Sequence, residues 1–163
     1  MENRITIITG KVRSGKTTYL GKLISSLDDV GGIIQVAEGN RRFFVDIVSS
    51  EKFEITSEYI DQDTFKLGNF IFRRSAFIWA KGKLEKSLKD GYSTIAIDEY
   101  GPLELKGEGL EPFFSKFINN IMSNSDHKLL VVVREGLLKN FLNKFDLKEA
   151  EIKIEKIANN ISL

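Results

Sequence analysis

Residues 10–17, Gly10-Lys11-Val12-Arg13-Ser14-Gly15-Lys16-Thr17, fit the pattern G-x-x-x-x-G-K-[ST], which restricts the fold more than any other feature of the chain. Such a loop cradles phosphate only where a strand runs into it and a helix leaves it. Residues 4–9 (RITIIT) read as a buried strand. Residues 18–27 (TYLGKLISSL) read as a helix, with Tyr19, Leu20, Leu23, Ile24 and Leu27 recurring at helical spacing. Glycines let the loop backbone curl until successive N–H groups converge on phosphate oxygens. The helix N-terminus adds partial positive charge. Residues 10–18, Gly10 to Thr18, are the expected phosphate cradle, with Lys16 reaching the terminal phosphates and the Thr17 hydroxyl suited to Mg²⁺.

A second group lies in residues 93–99 (STIAIDE), where a β-rich run ends in two adjacent carboxylates. In an open α/β sheet, ligands sit at the carboxyl ends of the strands, so Asp98 is expected beside the phosphate loop as a magnesium ligand. Neighbouring side chains on a strand point to opposite sides, which sends Glu99 elsewhere and suits it to positioning or deprotonating an attacking water. A carboxylate there favours hydrolysis over transfer, although kinases use carboxylate bases too.

Glycines in residues 28–32 (DDVGG) are expected to end the first helix. Residues 33–36 read as a short strand, 38–40 as a turn, 42–48 as a second strand and 52–56 as a third. Residues 65–69 read as loop and 70–89 as a long helix closed by Gly91. A glycine-bearing loop over 101–109 leads to Pro112 at a helix start. Phe113, Phe114, Phe117, Ile118, Ile121 and Met122 then mark an amphipathic helix. A strand over 128–133, a helix over 137–145 and a strand over 151–157 complete the pattern. Strands alternating with helices predict an α/β fold: a three-layer α/β/α domain over 1–163, with a mainly parallel central sheet and a small β-hairpin extension.

Composition narrows the partners. With 24 basic and 23 acidic residues the formal charge is +1, which gives no clear nucleic-acid signal. No cysteine is present, so disulfides and thiolate-ligated zinc are excluded. There is neither a transmembrane-length apolar run nor signal-peptide anatomy, and the reading is a cytoplasmic protein with no membrane partner. A protein partner is left open.

Three segments together, TGKVRSGKTT (9–18), GGIIQVAEGNRRFFVDIV (31–48) and IDEYGPLEL (97–105), resemble the small P-loop nucleoside-triphosphatases of the thermophilic and cancer-related type, through nearly the whole chain. The third is the most specific, because that family carries a similar Asp-Glu, Gly and Glu-Leu arrangement after its Walker B strand. Arg41-Arg42-Phe43 matches a basic-basic-aromatic run in its hairpin. The resemblance implies an ASCE-type α/β/α fold and Mg²⁺-dependent hydrolysis of ATP, GTP and other nucleoside triphosphates. Lys16 and Thr17 would bind phosphate and magnesium, Asp98 magnesium and Glu99 the attacking water. The chain departs from the family at Arg13, where a glycine is usual, and at Gln35-Val36-Ala37, where a Thr-Glu-Glu-like stretch is usual. These departures leave the phosphate-binding residues in place and bear on base preference and rate.

Other side chains have two readings each. Arg13 either contacts a phosphate or points to solvent. Arg134, at the end of the 128–133 strand, either stabilises transition-state charge as a third catalytic candidate beside Lys16 and Glu99, or forms a salt bridge with Glu99 or Glu135. Of Arg73 and Arg74, one reads as solvated helix surface and the other could reach the phosphates. Trp79 reads as core or cover rather than a base-stacking platform, His127 as a surface loop residue rather than a catalyst, Glu104 as a residue that orients a neighbour, and Glu108 as solvated. Two rival functions stay open. One is a small-molecule or nucleoside kinase with its acceptor pocket in residues 36–80. The other is a nucleotide-binding accessory module similar to the adaptor of molybdopterin-guanine dinucleotide synthesis. The second would show exposed apolar residues around Phe43–Phe44 or Phe113–Phe114.

Overall fold

The computed structural model describes residues 3–124 and 126–158. Nine strands and five α-helices follow in chain order. They are β1 (Ile5–Gly10), α1 (Lys16–Ser25), β2 (Val30–Glu38), β3 (Arg41–Asp46), β4 (Lys52–Glu54), β5 (Thr64–Leu67), β6 (Phe70–Arg73), α2 (Arg74–Lys89), β7 (Thr94–Tyr100), α3 (Pro102–Leu105), α4 (Phe113–Asn124), β8 (Lys128–Arg134), α5 (Leu138–Lys144) and β9 (Ile152–Ile157). Seven strands form one sheet in the order β4-β3-β2-β7-β8-β1-β9. The run from β2 to β9 is parallel, while β3 and β4 add antiparallel strands at one edge. One strand, β8, therefore separates the phosphate-loop strand β1 from the carboxylate strand β7.

Alternation along the central strands builds two cores. Ile7, Ile95, Ile97, Leu129, Val131 and Val133 face the larger one, with Phe77, Ala80 and Leu84 of α2, Phe114 and Ile118 of α4, and Phe141 of α5. Their neighbours Ile8, Ala96, Leu130 and Val132 face the smaller one with Leu20 of α1. A parallel sheet covered on both faces needs strands with near-continuous apolar runs, which Ile95-Ala96-Ile97 in β7 and Leu129 to Val133 in β8 supply. The layers and the antiparallel hairpin agree with the predicted α/β/α class.

Five local expectations need correction. Helix α1 ends at Ser25 with Ser26 as a right-handed cap, so Gly31 and Gly32 do not end it. They lie inside β2, which starts earlier and runs longer than 33–36. The glycines serve close packing: a Cβ at Gly31 would meet the Ser87 hydroxyl at 2.6 Å, and one at Gly32 would meet the Ala96 carbonyl oxygen at 2.0 Å. Gly32 also has φ +123°, which penalises any side chain. Gly32→Ala is expected to cost about 3 kcal/mol, read as a lower denaturant midpoint. A loss below about 0.5 kcal/mol would show that the strand relaxes around the methyl group.

Residues 65–69 are not loop, and the long helix does not start at 70. Strands β5 and β6 pair as a hairpin in which Leu67 faces Phe70 across a two-residue Gly68-Asn69 turn. The alternation of Phe65, Leu67, Phe70 and Phe72 around a glycine turn is a hairpin pattern. The helical spacing of Phe70 and Phe77 masked it. Asp63 then anchors α2, accepting hydrogen bonds from the Ser75 amide and hydroxyl. Finally, the 101–109 loop contains a short helix, α3. Among the described residues no helix is long and apolar enough to cross a membrane.

Candidate active site

The loop between β1 and α1 is closed by local backbone geometry. The Ser14 amide donates to the Lys11 carbonyl at 3.1 Å, and the Tyr19 amide to the Gly15 carbonyl at 2.9 Å. Gly15 precedes α1 at φ 91°. Arg13 has φ 60°, a left-handed conformation that costs a non-glycine residue about 1 kcal/mol and accounts for glycine being usual there. Its side chain is exposed at the cleft. Lys16 is 7% exposed, and its ammonium donates to the Lys11 carbonyl at 2.6 Å. Burial lowers its pKa, opposed by the negative charge of Glu99.

Strand β7 brings its carboxylate to the same place. The Thr17 hydroxyl donates to Asp98 Oδ2 at 3.0 Å, and the Gln35 amide donates to the same oxygen at 3.2 Å. Asp98 is 2% exposed, and burial pushes its pKa up to about 6 against the pull of these two hydrogen bonds. Glu99 does not share these partners. Its Oε1 pairs with Arg134 Nε at 3.1 Å. Of the two partners considered for Arg134, Glu99 is the one found; Glu135 pairs with Lys156 instead.

These groups open onto one cleft of about 810 Å³. Its volume lies in the range of small-ligand and cofactor sites. Val12, Arg13, Ser14, Gly15, Lys16, Thr17 and Thr18 line one side, and Asp98, Glu99 and Arg134 the floor. Gly10 and Lys11 shape the loop from behind: a Cβ at Gly10 would meet Ser14 Oγ at 2.5 Å, and Lys11 offers its carbonyl to Lys16. The opposite wall comes from Gln35, Val36, Ala37, Asn40 and Arg42 of the β2–β3 hairpin, with Phe70 of β6. Sequence reasoning reached this wall only as the acceptor pocket of the kinase alternative, within residues 36–80, and named none of its residues as site residues. The Gln35 contact is a backbone amide, which leaves no mark on residue type. Arg42 had a signal in the Arg41-Arg42-Phe43 run, and its guanidinium now lies 4.3 Å from the Phe70 ring centre.

Several candidates fall outside the cleft. Arg73 closes β6 and Arg74 opens α2; the latter stacks over Phe65 at 4.9 Å, and neither lines the cleft. Trp79 packs against Phe53 at 5.6 Å between ring centres, as cover. His127 is half-buried rather than on the surface, with Nδ1 3.0 Å from the Tyr92 carbonyl oxygen. Glu108 is exposed. The four phenylalanines that would mark an accessory module, Phe43, Phe44, Phe113 and Phe114, are all buried.

Glu104 is 4% exposed in α3 and accepts a hydrogen bond from the Gly101 amide at 3.2 Å, tying down the turn that follows Glu99. Burial pushes its pKa up to about 7. A carboxyl held above its unfolded value contributes stability that is full below the unfolded pKa and is lost as pH rises through the folded one. Between about pH 5 and about pH 8 the protein is expected to lose about 2–3 kcal/mol through this group, and Glu104→Gln to flatten that slope. Denaturant melts of both proteins across this range check it; parallel slopes would remove Glu104 as the source.

A mainly parallel sheet with a phosphate loop after β1, a buried aspartate near the carboxyl end of β7 and one strand between them defines a P-loop NTPase. A family model described as NTPase matches residues 5–160, and the chain belongs to that family. It is similar to the nucleoside-triphosphatase THEP1 of Methanothermobacter thermautotrophicus, with 28% identity over 160 residues covering 92% of this chain and 87% of the relative. Its fold is similar to the crystal structure of THEP1 from the hyperthermophile Aquifex aeolicus. There the TM-score is 0.70 at 16% identity, over 94% of this chain and 90% of that one.

Proposed function

We propose that the protein is a Mg²⁺-dependent nucleoside-triphosphate phosphohydrolase that converts ATP, GTP and related triphosphates to the diphosphate and inorganic phosphate. The observation that carries this reading is the meeting of Lys16, Thr17, Asp98, Glu99 and Arg134 in one cleft. The donor set fits magnesium: the Thr17 hydroxyl and the Asp98 carboxylate are hard oxygen donors already 3.0 Å apart, and Mg²⁺ takes few protein ligands beside substrate phosphates and water. Thr17 directly, and Asp98 directly or through water, would hold it. When bound, the ion neutralises charge on the β- and γ-phosphates.

The chain's own residues supply the rest. Loop amides from Val12 to Thr18 bind and orient the phosphates, and Lys16 adds a fixed cation. Glu99 takes the proton of a water that attacks the γ-phosphorus, and the β–γ bridging oxygen leaves with the diphosphate. Arg134 fixes the Glu99 carboxylate and brings a second positive charge to the site from within the same chain. The test is phosphate release by the protein alone from ATP, GTP, CTP and UTP, with Mg²⁺ and with a chelator. The reading expects release from several of these, abolished by the chelator; tight nucleotide binding with no release would overturn it.

A further inference from the structure

A second cavity, of about 170 Å³, adjoins the nucleotide cleft. Gln35, Arg42, Phe70, Glu99 and Arg134 line both, so the two meet at the candidate base. Away from that junction the small cavity is walled mainly by apolar side chains, Ile55, Leu67, Phe72, Phe77 and Leu103, with the buried Glu104 carboxyl as the polar exception. A site that only positions a lytic water needs room for one molecule, about 30 Å³ of liquid volume. This cavity is several times larger, and a dry apolar cavity of about 150 Å³ accepts a benzene-sized guest. Where it meets the nucleotide cleft it presents the Glu99 carboxylate, which in the proposed hydrolysis accepts a proton from the attacking oxygen.

We infer that the smaller cavity is an acceptor subsite for a compact, largely apolar hydroxyl compound, so that the terminal phosphoryl group passes to an alcohol as well as to water. The inference rests on the phosphohydrolase reading of the same site. The apolar body fills the space between Leu67, Phe72 and Leu103, and the hydroxyl points to Glu99. Its oxygen forms the new bond to the γ-phosphorus, the bond from that phosphorus to the β–γ bridging oxygen breaks, the hydroxyl proton goes to Glu99, and the electron pair leaves with the nucleoside diphosphate. The products are a phosphate monoester and the diphosphate.

Partitioning between water and alcohol tests this with simple probes. The full chain is incubated with ATP and Mg²⁺ and with methanol, 1-butanol or benzyl alcohol at equal concentration, and phosphorus NMR gives the ratio of phosphate monoester to inorganic phosphate. The subsite predicts that this ratio rises at least about tenfold from methanol to benzyl alcohol, since each buried methylene is worth about tenfold or more in a fitted apolar pocket. Leu67→Trp, which fills the cavity, is expected to bring the benzyl alcohol ratio down to the methanol level. Phosphate release with a ratio that is the same for all three alcohols would overturn the subsite and leave the hydrolase standing. Absence of both products would overturn the two together.

Discussion

Lys16→Ala is expected to weaken nucleoside-triphosphate binding more than about a hundredfold while leaving the fold intact. Its ammonium is held at the centre of the phosphate loop by the Lys11 carbonyl and is aimed into the cleft. Removing a desolvated cation from a phosphate contact costs about 3 kcal/mol, which sets the scale of the affinity loss. The same burial that lowers its pKa makes the charge unfavourable for folding, so alanine should not lower thermal stability. Titration with a fluorescent nucleotide beside a thermal melt separates the two effects. Weak binding with an unchanged melting temperature supports the assignment. Unchanged binding would move the phosphates away from this loop.

Glu99→Gln should behave in the opposite way, binding nucleotide with near-normal affinity while turnover falls by about 10²–10⁴, the usual contribution of a positioned general base. The amide keeps the size of the carboxylate and an oxygen that can still accept from Arg134, so the 3.1 Å contact need not be lost. What it lacks is the capacity to take a proton. Comparable losses in binding and in rate would instead give Glu99 a structural role beside Arg134. Because the Thr17 and Gln35 contacts belong to Asp98 alone, the metal-side arrangement should survive in this variant.

Much of this site was readable in the sequence because its chemistry sits in side chains at fixed spacing. The loop from Gly10 to Thr17 needs its glycines and its lysine, and a strand ending in Asp98 and Glu99 can deliver them only at its carboxyl end. The alternation of Ile95, Ala96 and Ile97 likewise announced a strand buried on both faces. The opposite wall was not readable. Gln35 contributes its backbone amide, and Arg42 and Phe70 enter the cleft only because one hairpin and the β5–β6 hairpin fold over it. Gly31 and Gly32 read as a helix stop in the sequence because glycine favours both helix ends and close backbone approaches. Only the positions of Ser87 and Ala96 distinguish the two. The start of α2 is hidden for a related reason: Phe70 continues the apolar stripe of Phe77, Ala80 and Leu84, yet it belongs to a strand turned by Gly68.

In the proposed hydrolysis, water activated at Glu99 attacks the terminal phosphorus. Hydrolysis of ATP in water enriched in oxygen-18, with mass analysis of both products, tests it most directly. Attack at the γ-phosphorus places one heavy oxygen in each inorganic phosphate formed and none in the diphosphate. Label in the diphosphate would mean that attack occurs at the β-phosphorus, and would contradict the proposed placement of the terminal phosphate against Glu99.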